Sequence, residues 1–325
     1  METWEVLSAS PDPWVRYRTF VDLLEYRESQ SAVSDARAAM LSHPLVEALI
    51  RELKSWPGVV LSSHKSAGQH YHKLAFLADL GLTREDPGVQ EILNGVLSHS
   101  SEEGLITLPM VISTHHGGNG QETWAWALCD APVSLYALAK MGYKEDPLVI
   151  KGRDFLIGLI RENGWPCKVS KELGDFRGPG KKEDPCPYVN LILLKFLSLY
   201  DQHLLGEPVK IGVETLLDLW ENSLTKHPYI FYMGTDFRKL KAPFIWYDIL
   251  HVLEVLSRFE IAVQDPRFEE MLNIVLEKAD QDGLFTPESV WQAWKGWDFG
   301  QKKTPSLWMT FIIYRIQKRL ESFQT

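Results

Sequence analysis

"DPLVIKGRDFLIGLI", residues 146–160, begins with an aspartate and a proline and continues with apolar residues at helical spacing. The aspartate accepts the free N–H groups of a first helical turn. The proline after it lacks an N–H that would go unused there. The apolar spacing marks one buried face. The same opening recurs at Asp86-Pro87, Glu207-Pro208 and Asp265-Pro266, so that the four pairs stand about 60 residues apart. Each pair predicts the N-terminus of an amphipathic helix, and a period of that length predicts a fold built by repetition.

Between these helices lie more uniformly apolar ones: "YHKLAFLADLG" (71–81), "WAWALCDAPVSLYALAKMG" (124–142), "YVNLILLKFLSLY" (188–200) and "FIWYDILHVLEVLSRF" (244–259). "PWVRYRTFVDLLEY" (13–26) and "PSLWMTFIIYRIQKRL" (305–320) complete the series at the two ends. Six apolar helices thus alternate with five amphipathic ones, the first amphipathic one over 33–56. Helices apolar nearly all round are buried, and those with a single stripe form an outer layer. No polar capping repeat ends the series, which favours closure over an open stack. The expectation is an all-α chain, 1–325, forming one (α/α)6 toroid of six inner and five to six outer helices around a central cavity.

Composition narrows the function classes. The chain has 325 residues, 45% of them apolar and 24% charged, with a net charge of −9 and no basic stripe, so nucleic acid is not an expected partner. Three cysteines, Cys129, Cys167 and Cys186, are too few for a disulfide framework. The start, "METWEVLSASPDPW", has neither a basic nor an apolar targeting segment, and no apolar run is long enough for a transmembrane helix. A cytoplasmic protein is expected; oligomeric state leaves no signal.

"KGWDFGQKKTPSLW" (295–308) is similar to the QW motif of the squalene and terpenoid cyclases, with Gly296, Phe299, Gln301 and Trp308 in the corresponding order. Through its repeats nearly the whole chain resembles the α/α-toroid superfamily that joins those cyclases with the β-subunits of protein prenyltransferases. The cyclases' Asp-x-Asp-Asp acid is missing, since "ADQDG" (279–283) only approximates it. Prenyltransferases hold zinc with Asp-x-Cys and a later histidine, and "RGPGKKEDPCPY" (177–188) supplies Asp184 and Cys186, with His251 in "YDILH". The resemblance therefore implies zinc at Asp184, Cys186 and His251, and a prenyl diphosphate gripped by Arg177, Lys181 and Lys182. It implies a small apolar or isoprenoid ligand.

The repeat itself tests that zinc site. Aligning the apolar helices on Leu77, Leu138, Leu197 and Leu256 places Cys186 eleven residues before its leucine and His251 only five before its own. Six residues at 1.5 Å each separate them by about 9 Å along a helix axis, too far to share one metal. The same alignment brings Asp130 and Asp248 to one depth, eight residues before their leucines, and His72 and His251 to another, five before. Offsets three apart share a helix face. These four residues are thus candidates for proton transfer, with Arg16 at the aspartates' depth as a neutralising partner. Trp126, Trp246 and Tyr247 are candidate walls for an apolar ligand. Two further functions fit the same fold. One is a carbohydrate-active (α/α)6 enzyme using Asp130 and Asp248 as paired carboxylates. The other is a binding module without chemistry. The cofactor is otherwise unspecified.

Overall fold

Asp146 and Asp265 cap their helices as their context requires: the side chain of Asp146 accepts from the Leu148 N–H at 2.9 Å, and that of Asp265 from the Arg267 N–H at 2.9 Å. The computed structural model describes residues 3–174, 176, 178–201 and 205–323, and the chain is mainly helical. In order, the helices are α1 (Thr3–Ser8), α2 (Pro13–Arg18), α3 (Ser31–Leu41), α4 (Pro44–Leu53), α5 (His70–Leu80), α6 (Val89–Leu97) and α7 (Ala131–Leu138). There follow α8 (Pro147–Ile157), α9 (Pro187–Leu197), α10 (Glu207–Glu221), α11 (Ile249–Leu256), α12 (Glu260–Val263), α13 (Pro266–Leu276) and α14 (Leu307–Ser322). Two strands, β1 (Leu108–Val111) and β2 (Glu122–Ala125), pair antiparallel from Leu108 opposite Ala125 to Val111 opposite Glu122. The all-α expectation thus becomes mainly α with one hairpin.

Several boundaries differ from the sequence reading, and proline explains most of them. The helix expected over 33–56 is two, α3 and α4, because the second begins anew at Pro44. The apolar stretch from Trp124 is helical only from Ala131, with Pro132 in its first turn; Trp124 lies in β2. Asp184 does not cap α9. Pro187 is the first helical residue and Cys186 is the N-cap, because the Cys186 N–H is held 2.8 Å from the Trp165 carbonyl. Asp86 likewise precedes its helix by more than a cap, and Gly88, at φ 81°, is the N-cap of α6. Asp86 instead accepts from the Thr83 N–H at 2.7 Å.

The chain divides into two compact units. Unit 2 comprises Glu52–Gly234 and Ile245–Tyr247. Its centre is α5, α7 and α9, each buried along its whole length, with α5 packed on α7 and α7 on α9. The amphipathic helices α8 and α10 cover α7 and α9. Unit 1 comprises Met1–Arg51, Thr235–Phe244 and Asp248–Thr325. There α14 packs on α11 and α2, while α13 covers α11 and α3 covers α2. Within each unit, then, buried helices sit beside one another and amphipathic ones lie against them. No helix among the described residues is long and apolar enough to cross a membrane.

Charged residues at the C-terminal ends of the buried helices escaped the offset alignment. In unit 2, Asp79 lies 2.8 Å from the Lys195 ammonium and 3.2 Å from that of Lys140, and accepts from the Tyr136 hydroxyl. In unit 1, Glu254 is held by Arg315 at 3.0 Å and by Arg258 at 2.7 Å. These groups are buried or half-buried and ion-paired to one another, which fits a structural role.

Candidate functional site

Unit 2 contains an open cleft of about 790 Å³, and short backbone bridges explain which residues reach it. Leu61 pairs with β1, its N–H donating to Pro109 at 2.8 Å and its carbonyl accepting from Val111 at 2.9 Å. That pairing carries the loop of His64 and Lys65 to the cleft. The Leu128 N–H donates to the Lys168 carbonyl at 3.0 Å, and the Ser170 N–H to that of Trp126 at 2.9 Å. Together with the Cys186–Trp165 bridge, this stitches three remote segments edge to edge. Cys129, Cys167 and Cys186, all the cysteines of the chain, therefore line one cleft.

His64 is the most firmly positioned polar group there. Its Nε2 is 2.8 Å from Asp130 Oδ2. Its carbonyl accepts from the Tyr71 hydroxyl at 2.8 Å and from His72 Nε2 at 3.0 Å. Asp130 is fully buried, and its other oxygen accepts from the Ala127 N–H at 3.3 Å. Burial pushes the Asp130 carboxyl up, and the His64 ring beside it pulls it back. A histidine braced by a buried carboxylate and fixed through its backbone is an arrangement suited to proton transfer.

Aromatic rings, Tyr229, Phe231 and Trp246, also line the cleft. Tyr188 stacks on Trp246 at 4.1 Å, Phe231 stacks on Trp246 at 5.6 Å, and the Tyr188 hydroxyl donates to the Ile245 carbonyl at 3.0 Å. Tyr229, with a left-handed backbone at φ 52°, sits against the loop of Gly178 and Gly180. A β-carbon on Gly180 would come within 2.7 Å of the Tyr229 ring, so this glycine exists for close packing and not for binding phosphate.

The expected site residues scatter. Asp130 faces the cleft region through His64. His72 instead holds the His64 carbonyl through its Nε2, and burial pushes its imidazole down to about 3, so it stays neutral. Asp248 and His251 belong to unit 1, where Asp248 caps α11 by accepting from the His251 N–H at 3.0 Å. The His251 ring stacks on Phe244 at 4.8 Å. Arg16 lies in unit 1 as well, its guanidinium donating to the Ser10 carbonyl. Of the three aromatics named from sequence, Trp246 lines the cleft. Tyr247 is buried edge-on against Phe231 at 5.5 Å, and Trp126 packs on Phe155 at 5.7 Å.

Arg177 lies outside the described residues. Lys181 and Lys182 are exposed, and Lys181 lines a separate groove of about 870 Å³ shared with Glu162, Glu207, Glu214 and Asp218. Those carboxylates make it a poor anion grip. Among the described residues, Lys65 and Lys168 are the cations that line the cleft.

The zinc expectation fares worst. No group of three or more His, Cys, Asp or Glu side chains among the described residues is placed to hold a metal ion. Of the three expected ligands, Asp184 lines the groove of Lys181, Cys186 lines the cleft, and the His251 ring stacks on Phe244. These side chains do not fit the metal.

The Gln301 amide donates to the Asp298 and Thr304 carbonyls at 3.0 and 2.8 Å, and accepts from the Lys303 and Thr304 N–H groups at 2.6 and 3.0 Å. It ties a turn ahead of α14.

No family model matches the chain, and no curated protein matches it. Among solved structures it is similar to a crystal structure of a protein from Actinoplanes, at 12% identity and a TM-score of 0.42, over 96% of this chain and 90% of that one.

Proposed function

We propose that the chain is a divergent α/α-toroid protein of the cyclase and prenyltransferase kind, and that its unit 2 cleft binds an isoprenoid or similar apolar ligand carrying an anionic head. What supports the fold is the alternation within each unit, where buried helices lie side by side under amphipathic ones. What carries the ligand reading is the juxtaposition in one cleft of stacked rings with the His64–Asp130 pair. The apolar body lies on Trp246 and Phe231, whose π faces also suit a developing positive charge. The head is met by Lys65 and Lys168 in place of Lys181 and Lys182. His64 gives or takes a proton, with Asp130 holding its ring.

Asp130 is spent on His64 and Asp248 on a helix cap, so the paired-carboxylate carbohydrate reading has less to draw on. Farnesyl diphosphate provides the test, with tryptophan fluorescence and calorimetry as readouts. We expect saturable binding that weakens with salt and weakens further in the Lys65→Ala/Lys168→Ala double variant. Binding of an oligosaccharide without farnesyl diphosphate, or affinity indifferent to both lysines, would overturn the reading.

A further inference from the structure

Unit 1 gathers a group of arginines that outweighs the carboxylates it holds. Glu254 is fully buried near the end of α11. One of its oxygens, Oε1, accepts from three guanidiniums: Arg258 at 2.7 Å, Arg315 at 3.0 Å and Arg319 at 3.2 Å. Arg315 also donates to Asp22 at 3.2 Å, and Arg18 donates to both oxygens of Asp22 at 2.6 and 2.7 Å. Four cations in this group thus meet two anions, and three of them crowd round one oxygen. Helical spacing explains how they come together. Arg315 and Arg319 stand four apart on α14, and Glu254 and Arg258 four apart at the end of α11, so each pair shares one helix face.

We propose that this arginine group binds a phosphoryl dianion, as inorganic phosphate or as the phosphate of a small monoester. Like charges held together away from water are costly until a counter-charge joins them. The C-terminal dipole of α11 offsets roughly half a charge, met by Arg319 donating to the Glu254 carbonyl at 3.0 Å. An excess of positive charge remains. Burial, with the Arg315 and Arg258 charges, pushes Arg319 down to about 10 against the pull of Glu254. Solvent reaches the group, since side-chain exposure is 25% for Arg319, 13% for Arg18 and 12% for Arg258. Arginine suits the task, because its planar fork presents paired N–H donors to phosphate oxygens.

The chain as a whole carries a charge of −9, so it exerts no diffuse attraction on anions, and a retained dianion needs a local cause. Chloride brings one charge and no second oxygen for the fork, so it is a poor substitute. The site is built from other residues than the unit 2 cleft, and Lys65 and Lys168 take no part in it. It therefore does not rest on the isoprenoid reading.

Inorganic phosphate is titrated calorimetrically into the full-length protein at about pH 8, where it is dianionic, with chloride holding the ionic strength constant. Saturable binding is expected in the wild type and equally in the Lys65→Ala/Lys168→Ala variant. Arg319→Gln is expected to weaken it about tenfold or more, through loss of a charge-assisted contact. Phenyl phosphate separates the two sources: tighter binding than phosphate supports a monoester ligand, and weaker binding supports the free ion. A measurement on the wild type localises the site without any arginine variant. Phosphate should slow phenylglyoxal modification of Arg319 several-fold, read by peptide mass spectrometry, and leave the exposed Arg84 unaffected. Absence of saturable binding, full affinity in a folded Arg319→Gln, or Arg319 modified as fast with phosphate as without it would each overturn the proposal. Binding lost in the double lysine variant would overturn it too, while leaving the isoprenoid reading standing.

Discussion

Asp248 shows how much a single residue can carry apart from catalysis. It is nearly inaccessible, caps α11, and burial raises its carboxyl to about 7 despite the opposing charge of Lys241. The folded chain therefore holds a proton that the unfolded chain releases from about pH 4 upward, so this residue's contribution to stability declines from about pH 4 to 7. Asparagine keeps the cap acceptor without the titration. We expect Asp248→Asn to gain on the wild type steadily across that window in urea unfolding. A stability difference independent of pH would show that Asp248 titrates normally. At this scale the sequence was partly legible. Asp130 and Asp248 stood out because buried aspartates need partners, but the partner of Asp130 is His64, from a loop that no helical offset could align with it. Lys195 and Asp79 went unnoticed because each reads as an ordinary polar residue until the packing of α5, α7 and α9 brings them together.

Helix packing supplies the next prediction. Gly212 of α10 lies against Trp165, whose ring would be 2.6 Å from a β-carbon at that position, with Leu194 of α9 at 3.1 Å. Alanine improves helix propensity by about 1 kcal/mol, whereas overpacking a filled interface costs about 1–3 kcal/mol. Trp165 is fully buried and its indole N–H is fixed on the Leu156 carbonyl at 2.8 Å, so it has little room to yield. Gly212→Ala is expected to be destabilising by denaturant titration; a neutral or stabilised variant would mean the ring shifts freely. Element types were mostly legible, because apolar period and proline placement act locally. Element ends were less so. "EDPCPY" holds two prolines, either of which can open a helix, and only the Cys186–Trp165 backbone bridge selects the second.

At the scale of the whole molecule, long-range pairing dominates. Arg315 of α14 meets Asp22 across 293 residues, so unit 1 joins segments far apart in the sequence. Unit 2 rests on a buried ionic centre, and Asp79→Asn would leave the Lys195 and Lys140 ammoniums facing each other with one neutral acceptor. Removing one partner from a buried ion group costs about 3–5 kcal/mol; urea unfolding of Asp79→Asn is the measurement, and an unchanged midpoint would mean that water or a shifted side chain replaces the carboxylate. By itself the sequence determined the helical class, the alternation of buried with amphipathic helices and the caps at Asp146 and Asp265, because these depend on residues a turn apart. Only the tertiary structure decided that Asp130 serves His64, that Lys181 lies away from the aromatic wall, and that three separate cysteines share one cleft. Those outcomes depend on backbone bridges between loops, which carry no periodic signal and form only once the helices have brought the loops together.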